Sequence, residues 1–357
     1  MTAGEPVSLP LEREPGAPGD LAFLVVDRFI GTMVDARALK TAFELGLVDR
    51  LLEQRSGSIE ALGRALGVDA PGLRLLLDLL AANGVVEERG GDVRLGRRFL
   101  DALRYRDLLE TKLDFAGFSI NDFADLFTAL VKEPRGFAGR ARMFQLFDYR
   151  RCLEPSRENY AQVRTWMRIT STLTRYEALA CMQLHAFAGH RRALDVGGNS
   201  GEFLLQLCRR HPQLSGTVLD LPLVCDIGME HVLAEPEASR ISFIKADVRS
   251  DPLPSGYDLI SFKSMLHDWP AEEADRFLAK AAQALPSGGT LLIFERSPLR
   301  VREATPPFSL IPTLLFFRSY RAPAEYAARL EALGLHEVVL REIQLDTAFF
   351  VLSAKKR

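Results

Sequence analysis

The sequence predicts an α/β protein. A mostly parallel sheet with one antiparallel strand fills the carboxyl-terminal half, and a mainly α-helical module precedes it. Three features of the chain point there. Residues 191–220, RRALDVGGNSGEFLLQLCRRHPQLSGTVLD, read as strand, glycine-rich turn, helix and second strand. From Ala193 onward, short apolar runs alternate with helical patterns, the order that a parallel sheet with crossover helices requires. Between Ser56 and Leu95, two helix signals precede a hairpin signal, the pattern of a winged helix.

At 357 residues the chain is long enough for two domains, and a formal net charge of −2 sets up no global field for nucleic acid or an anionic membrane. Cys152, Cys181, Cys208 and Cys225 show neither C-x-x-C pairing nor metal-ligand spacing, so reduced thiols and no metal site are expected. The run Phe308–Phe317 is too short to span a bilayer and contains Pro312. The first 20 residues lack the basic start and apolar core of a secretory signal, and their Pro, Gly and Glu content predicts a disordered tail. A cytoplasmic protein is therefore expected.

Leu21–Leu52 carries apolar residues at helical spacing, with Gly46 and Asp49 as break points. Ser56 or Ser58 caps the next helix and Gly67 ends it. Asp69 caps another that Pro71 helps to open, with Leu73, Leu76, Leu77 and Leu80 on one face. Val85–Glu87, Gly90-Gly91 and Val93–Leu95 make the hairpin. In this stretch Arg64, Arg74, Arg89 and Arg94 are outweighed by Glu60, Asp69, Asp78, Glu87, Glu88 and Asp92. A DNA-reading surface needs net positive charge, so the winged helix is read as an oligomerisation element. Arg106–Ala186 is a long helical region in which large aromatics recur from Phe115 to Trp166. They suit either helical core or an apolar pocket for a flat substrate. Strands are expected near 193–196, 216–220, 241–244, 257–262 and 290–294. A closing hairpin-like pair is expected around Asp346-Thr347.

The glycine-rich turn carries the first chemistry. Gly197, Gly198 and Gly201 let the backbone take positive φ and let a ligand approach closely. A dinucleotide fingerprint is excluded because Val196 or Asn199 fills a required glycine position, and a P-loop is excluded because Gly201-Glu202-Phe203 is not G-K-[ST]. Asp195 ends the first strand before the glycines, and a carboxylate there suits an ammonium group better than a pyrophosphate. Asp220 ends the second strand, where a carboxylate can take both hydroxyls of a ribose. The fourth strand runs into FKSMLHDW, which places His267 on the same rim. Glu295 ends the neighbouring strand. A carboxylate on one imidazole nitrogen fixes the tautomer and stabilises the imidazolium, so the two make a base–orienter pair. Asp268 is read as the N-cap of a helix opened by Pro270.

Together LDVGGNSG, Asp220, Asp247, FKSMLHDW and the strand ending in Glu295 resemble the plant caffeate-type O-methyltransferases and their bacterial natural-product relatives. These are class I enzymes that use S-adenosylmethionine (SAM). The resemblance runs from about Leu21 to the end. It implies a Rossmann-like class I methyltransferase sheet over 187–357, a helical linker and pocket region over 106–186, and a winged-helix dimerisation domain over 21–105. It also implies a homodimer, a small aromatic substrate, SAM as cofactor and S-adenosylhomocysteine as product. By that resemblance Asp195, Gly197, Gly198 and Gly201 hold the methionine end. Asp220 and Leu221 hold the ribose, and Asp247 and Val248 flank the adenine. Lys263 lies against the cofactor, and Trp269 packs near the adenine. His267 is the general base that Glu295 orients, and the reaction is methylation of a hydroxyl, phenolic by expectation. Trp166, Met265, Phe316 and Phe317 are pocket candidates. Three departures stand out: Asn199 replaces the middle glycine, Val248 replaces an aromatic residue, and a second glutamate expected near Tyr320 is absent, with Glu325 one helical turn too late. A relative that binds SAM without methylating (a hydroxylase, decarboxylase or pericyclase) and a DNA-binding regulator are the alternatives.

Overall fold

The computed structural model describes residues 21–302 and 305–357. The expected disordered tail over 1–20 lies outside the described residues. A 3-10 turn, Ala22–Phe29, leads into α1 (Met33–Glu44), whose start is a reciprocal capping box between Thr32 and Asp35. Gly46, at φ 74°, turns the chain into α2 (Leu47–Gln54). Ser58 closes the short strand β1 (Gly57–Ser58) and caps α3 (Ile59–Leu66). Asp69 caps α4 (Ala70–Ala82), which buries Leu73, Leu76, Leu77 and Leu80. Each fully buried leucine contributes roughly 1.5–3 kcal/mol. The wing is β2 (Val86–Arg89) and β3 (Asp92–Leu95), joined through Gly90 and Gly91 and ordered β1-β3-β2.

After α5 (Arg97–Ala102), the 27-residue α6 (Arg106–Lys132) crosses to the second half of the molecule. Two short helices follow, α7 (Pro134–Arg140) and α8 (Arg142–Leu146). The carboxylate of Asp122, on α6, accepts the first amides of α8, Arg142 at 3.0 Å and Met143 at 2.8 Å. The 28-residue α9 (Arg157–Leu184) then runs to the sheet.

The sheet contains β4 (Arg192–Val196), β5 (Ser215–Asp220), β6 (Ile241–Lys245), β7 (Leu259–Lys263), β8 (Thr290–Arg296), β9 (His336–Gln344) and β10 (Ala348–Lys355). Its order is β6-β5-β4-β7-β8-β10-β9, and β10 is antiparallel to both neighbours. The intervening helices are α10 (Glu202–Arg210), α11 (Pro222–Leu233), α12 (Ala271–Ala284), α13 (Ile311–Leu315) and α14 (Pro323–Ala332). Strand order reverses at β4, between β5 and β7, so a crevice opens at their carboxyl ends. Buried charges join the helical half to the sheet. Lys112 on α6 reaches both oxygens of Asp27 at 2.7 Å and Asp346, in the β9–β10 turn, at 3.0 Å. Among the described residues no helix is long and apolar enough to cross a membrane.

Candidate active site

The glycine turn folds back on itself through Asp195 and Asp220. Gly197 has φ 69°, and a Cβ there would lie 2.5 Å from Met265 Cγ. A Cβ on Gly198 would lie 2.7 Å from Asp195 Oδ2. Asn199 also takes a left-handed φ of 54°, so the departure from glycine keeps the backbone shape. Its amide donates to Asp220 Oδ2 at 2.8 Å, and its side-chain amide donates to Thr170 Oγ1 on α9 at 3.1 Å. Ser171 Oγ meets Ser200 Oγ at 2.6 Å, so α9 grips the loop twice. Gly201 serves differently from expectation. At φ 78° it caps α10, and a Cβ would press on Val232 and Phe243 rather than on the cavity.

The residues fit the methionine end of SAM. Asp195 Oδ1 accepts from Ser261 Oγ at 2.7 Å, but the buried Oδ2 has no partner. Burial pushes this carboxyl up to about 7, against the pull of Ser261 and Lys263. A ligand ammonium would supply the missing cation. Burial likewise lifts Asp220 to about 6, against its bonds from the amides of Leu221 and Asn199. Asp247, also on this rim, accepts from the Arg249 guanidinium on both its oxygens, at 2.6 to 3.0 Å. That guanidinium lies over Trp269, its carbon 5.4 Å from the ring centroid. Val248 is buried beside them. Lys263 hydrogen-bonds Thr174 Oγ1 at 2.8 Å and pairs with Glu177, both on α9.

The second cluster is the turn after β7. Ser264 holds a strained φ of 48° and redirects the chain. Glu295, 1% exposed, accepts the amides of Met265 and Leu266 at 2.9 Å on Oε1 and His267 Nδ1–H at 2.7 Å on Oε2. Arg321 holds the same turn from the other side through the carbonyls of Leu266 and Trp269. Burial lowers the affinity of His267 for a proton, but Glu295 and then Asp268 outweigh it, and the imidazole is held above its ordinary value. Glu295 is kept below the usual carboxylate range by His267 despite burial. Nδ1 therefore carries the proton and Nε2 is the accepting nitrogen.

One cavity takes in both clusters. Its walls include Asp195, Gly197, Gly198, Asp220, Leu221, Asp247, Val248, Lys263, Met265, His267 and Trp269. Phe115, Phe147, Trp166 and Phe316 form its aromatic slot, with the Phe147 and Trp166 ring centroids 5.7 Å apart. Phe317 is corrected: α13 ends at Leu315, and Phe317 turns outward, 37% exposed beneath Arg318. Asp268 is corrected as well. Pro270 occupies the N-cap of α12, and the Asp268 carboxylate instead accepts from Tyr149 Oη at 2.8 Å. Glu325 is spent on the start of α14, accepting the Ala322 amide at 3.1 Å. Sequence reasoning missed Tyr149, Thr170, Thr174, Glu177 and Arg321. The available signal was the helical spacing of Trp166, Thr170, Thr174 and Glu177, which gives α9 a partly polar buried face.

Comparison with known proteins gives the family. The O-methyltransferase domain family matches residues 132–334, and the O-methyltransferase dimerisation domain family matches residues 28–101. The chain is 47% identical over 125 residues to a 3-hydroxy-5-methyl-1-naphthoate 3-O-methyltransferase of Streptomyces sahachiroi, an alignment spanning 35% of each protein. It is 26% identical over 330 residues to a mitomycin biosynthesis 6-O-methyltransferase of Streptomyces lavendulae, covering 91% of this chain and 93% of that one. In fold it is similar to human N-acetylserotonin methyltransferase in complex with SAM, with TM-score 0.70, 22% identity, and coverage of 90% of this chain and 93% of that one.

Proposed function

Because the chain belongs to the O-methyltransferase family, we propose that it methylates a phenolic hydroxyl of a flat aromatic molecule in natural-product biosynthesis, with His267 as general base. The observation that carries this reading is His267, backed by Glu295, on the wall of the cavity that Asp195 with its unpartnered oxygen also lines. SAM, when bound, supplies an electrophilic methyl group on a sulfonium. Asp195 would hold its ammonium, and Asp220 its ribose. The aromatic slot between Trp166, Phe147 and Phe316 would clamp the acceptor ring and fix its oxygen, and such placement replaces a bimolecular encounter. His267 Nε2 would take the hydroxyl proton, and Glu295 would stabilise the imidazolium that forms. The hydroxynaphthoate relative supports an aromatic acceptor, and the mitomycin biosynthesis relative supports a natural-product pathway.

The matched dimerisation domain, with Met33, Val34 and Leu75 each more than half exposed, supports a homodimer. Light scattering should give twice the chain mass at micromolar concentration, and a monomer would sink that part. For the chemistry, the protein is incubated with SAM and a panel of phenols and naphthols, and products are read by mass spectrometry. Methylated product that disappears in His267→Ala is expected. Undiminished turnover in that variant would overturn the role of His267.

A further inference from the structure

The imidazole of His267 has a carboxylate on both sides. Glu295 takes Nδ1, and Asp268 Oδ1 stands 3.4 Å from Nε2. The place where the resemblance puts a second glutamate is filled by the Tyr320 ring, whose centroid is 5.4 Å from that of His267. Asp268 does not hang free. Its other oxygen, Oδ2, accepts from Tyr149 Oη at 2.8 Å. Tyr149 is wedged in turn, stacked on Trp269 with centroids 6.0 Å apart and edge-on to Trp166 at 5.9 Å. Both ends of this chain of contacts lie on the cavity wall.

We propose that Asp268, held by Tyr149, is the second carboxylate of the proton-accepting site and stands ready for the N–H that forms on Nε2. The inference rests on His267 being the general base. In the step, the substrate O–H bond breaks as the new O–CH3 bond forms. The S–CH3 bond breaks with its electron pair left on sulfur, and the proton goes to Nε2. A neutral imidazole presents a lone pair to Asp268, which is unfavourable. An imidazolium presents an N–H, which is a charge-assisted contact. The arrangement therefore favours the state reached after proton transfer. It also narrows the gap between an imidazole near 6.5 and a phenol near 10. Tyr149 is a positioning residue, since its hydroxyl fixes which way the carboxylate points and touches no reacting atom.

The other groups around the imidazole do not supply this effect. Arg296, next along β8, opposes protonation of His267. Tyr320 presents its ring and is held protonated by burial. Arg321 is occupied by backbone carbonyls and the Tyr326 hydroxyl. Glu295 is committed to Nδ1 and the backbone amides. Asp268 alone among these faces Nε2 with a negative charge.

The test is an NMR pH titration of the His267 ring in the full-length protein, comparing wild type with Asp268→Asn and Tyr149→Phe. Circular dichroism and thermal melts check that each variant is folded. Asp268→Asn should lower the His267 midpoint by about one unit, the lower end of the effect of an adjacent opposite charge. Tyr149→Phe should lower it by less, because the carboxylate remains but is released. The acid limb of the rate profile should move with the midpoint. An unmoved midpoint in folded Asp268→Asn would overturn the proposal. An unmoved midpoint in Tyr149→Phe alone would remove Tyr149 from it. The titration needs neither cofactor nor acceptor, so it reads Asp268 even if His267→Ala shows that the base lies elsewhere.

Discussion

Replacing Glu295 by Gln isolates the orienting role of the carboxylate with almost no change of volume. Glu295 accepts two amides at 2.9 Å on one oxygen and the His267 Nδ1–H at 2.7 Å on the other. A glutamine can keep its carbonyl on the amides, but its NH2 then faces Nδ1 and forces that nitrogen to accept. The ring must carry its proton on Nε2 instead, and the accepting nitrogen of the site is lost. The imidazolium also loses its buried counter-charge, a change of about 3–5 kcal/mol for a buried pair stripped of one partner. At 1.36 kcal/mol per tenfold, that is roughly a hundred- to several-thousand-fold loss of kcat. Two assays check it: initial rates with an accepted phenol, and nitrogen NMR of His267, where the protonated nitrogen should switch from Nδ1 to Nε2. A folded Glu295→Gln protein within about threefold of wild-type kcat would refute this reasoning, as would one that retains the Nδ1–H tautomer.

Binding of S-adenosylhomocysteine should weaken about tenfold between pH 8 and pH 6. The Asp195 carboxyl, lifted to about 7, must lose its proton to meet the ligand ammonium. Calorimetry should show proton release at pH 6, absent in Asp195→Asn. The folding linkage has the same origin: a raised carboxyl destabilises the unliganded fold as pH climbs from 3.8 toward 7, and ligand should reverse that cost in melts. Thr170→Val removes the acceptor for the Asn199 side chain and should weaken binding by roughly two- to tenfold, the worth of one neutral hydrogen bond. An unchanged Kd would mean that α9 does not hold the loop. Gly198→Ala drives a Cβ to 2.7 Å from Asp195 Oδ2 and 3.0 Å from its carbonyl, so binding should be abolished while circular dichroism stays native.

The parts of the site that were legible in the sequence are those whose chemistry is local. A glycine turn between two strands, an acidic residue at each strand end and a histidine just past a fourth strand are set by spacing alone. The β9–β10 pair with its antiparallel strand was readable from alternation around Asp346-Thr347. Asp268 was misread because an aspartate two residues before a helix-opening proline has the look of a cap. Pro270, at φ −53° and ψ 151°, sits at the cap position itself and leaves Asp268 free to turn toward Tyr149. Phe316 and Phe317 could not be told apart, since α13 ends just before them and the chain then departs from helical spacing. Arg321 was invisible for another reason: it acts on backbone carbonyls 52 and 55 residues away, which no spacing rule reaches.

The residues on α9 explain why the glycine turn and the aromatic slot should respond to each other. Trp166 lines the slot, Thr170 and Ser171 hold the glycine turn, and Thr174 and Glu177 anchor Lys263. Glu177 also accepts from Arg296 at 2.7 Å, one residue past the glutamate that hydrogen-bonds His267. A rigid helix cannot shift at one of these points without disturbing the others, because each contact lies within a few turns of the next. Glu177 is buried between two cations, and burial of such a group is tolerated only while its partners stay in place. Ordering of the glycine turn around a ligand would therefore be felt along α9 at the aromatic slot and at β8. The physical basis is the shared helix, and its signature would be acceptor affinity that changes when S-adenosylhomocysteine is present, with the coupling reduced in Thr170→Val.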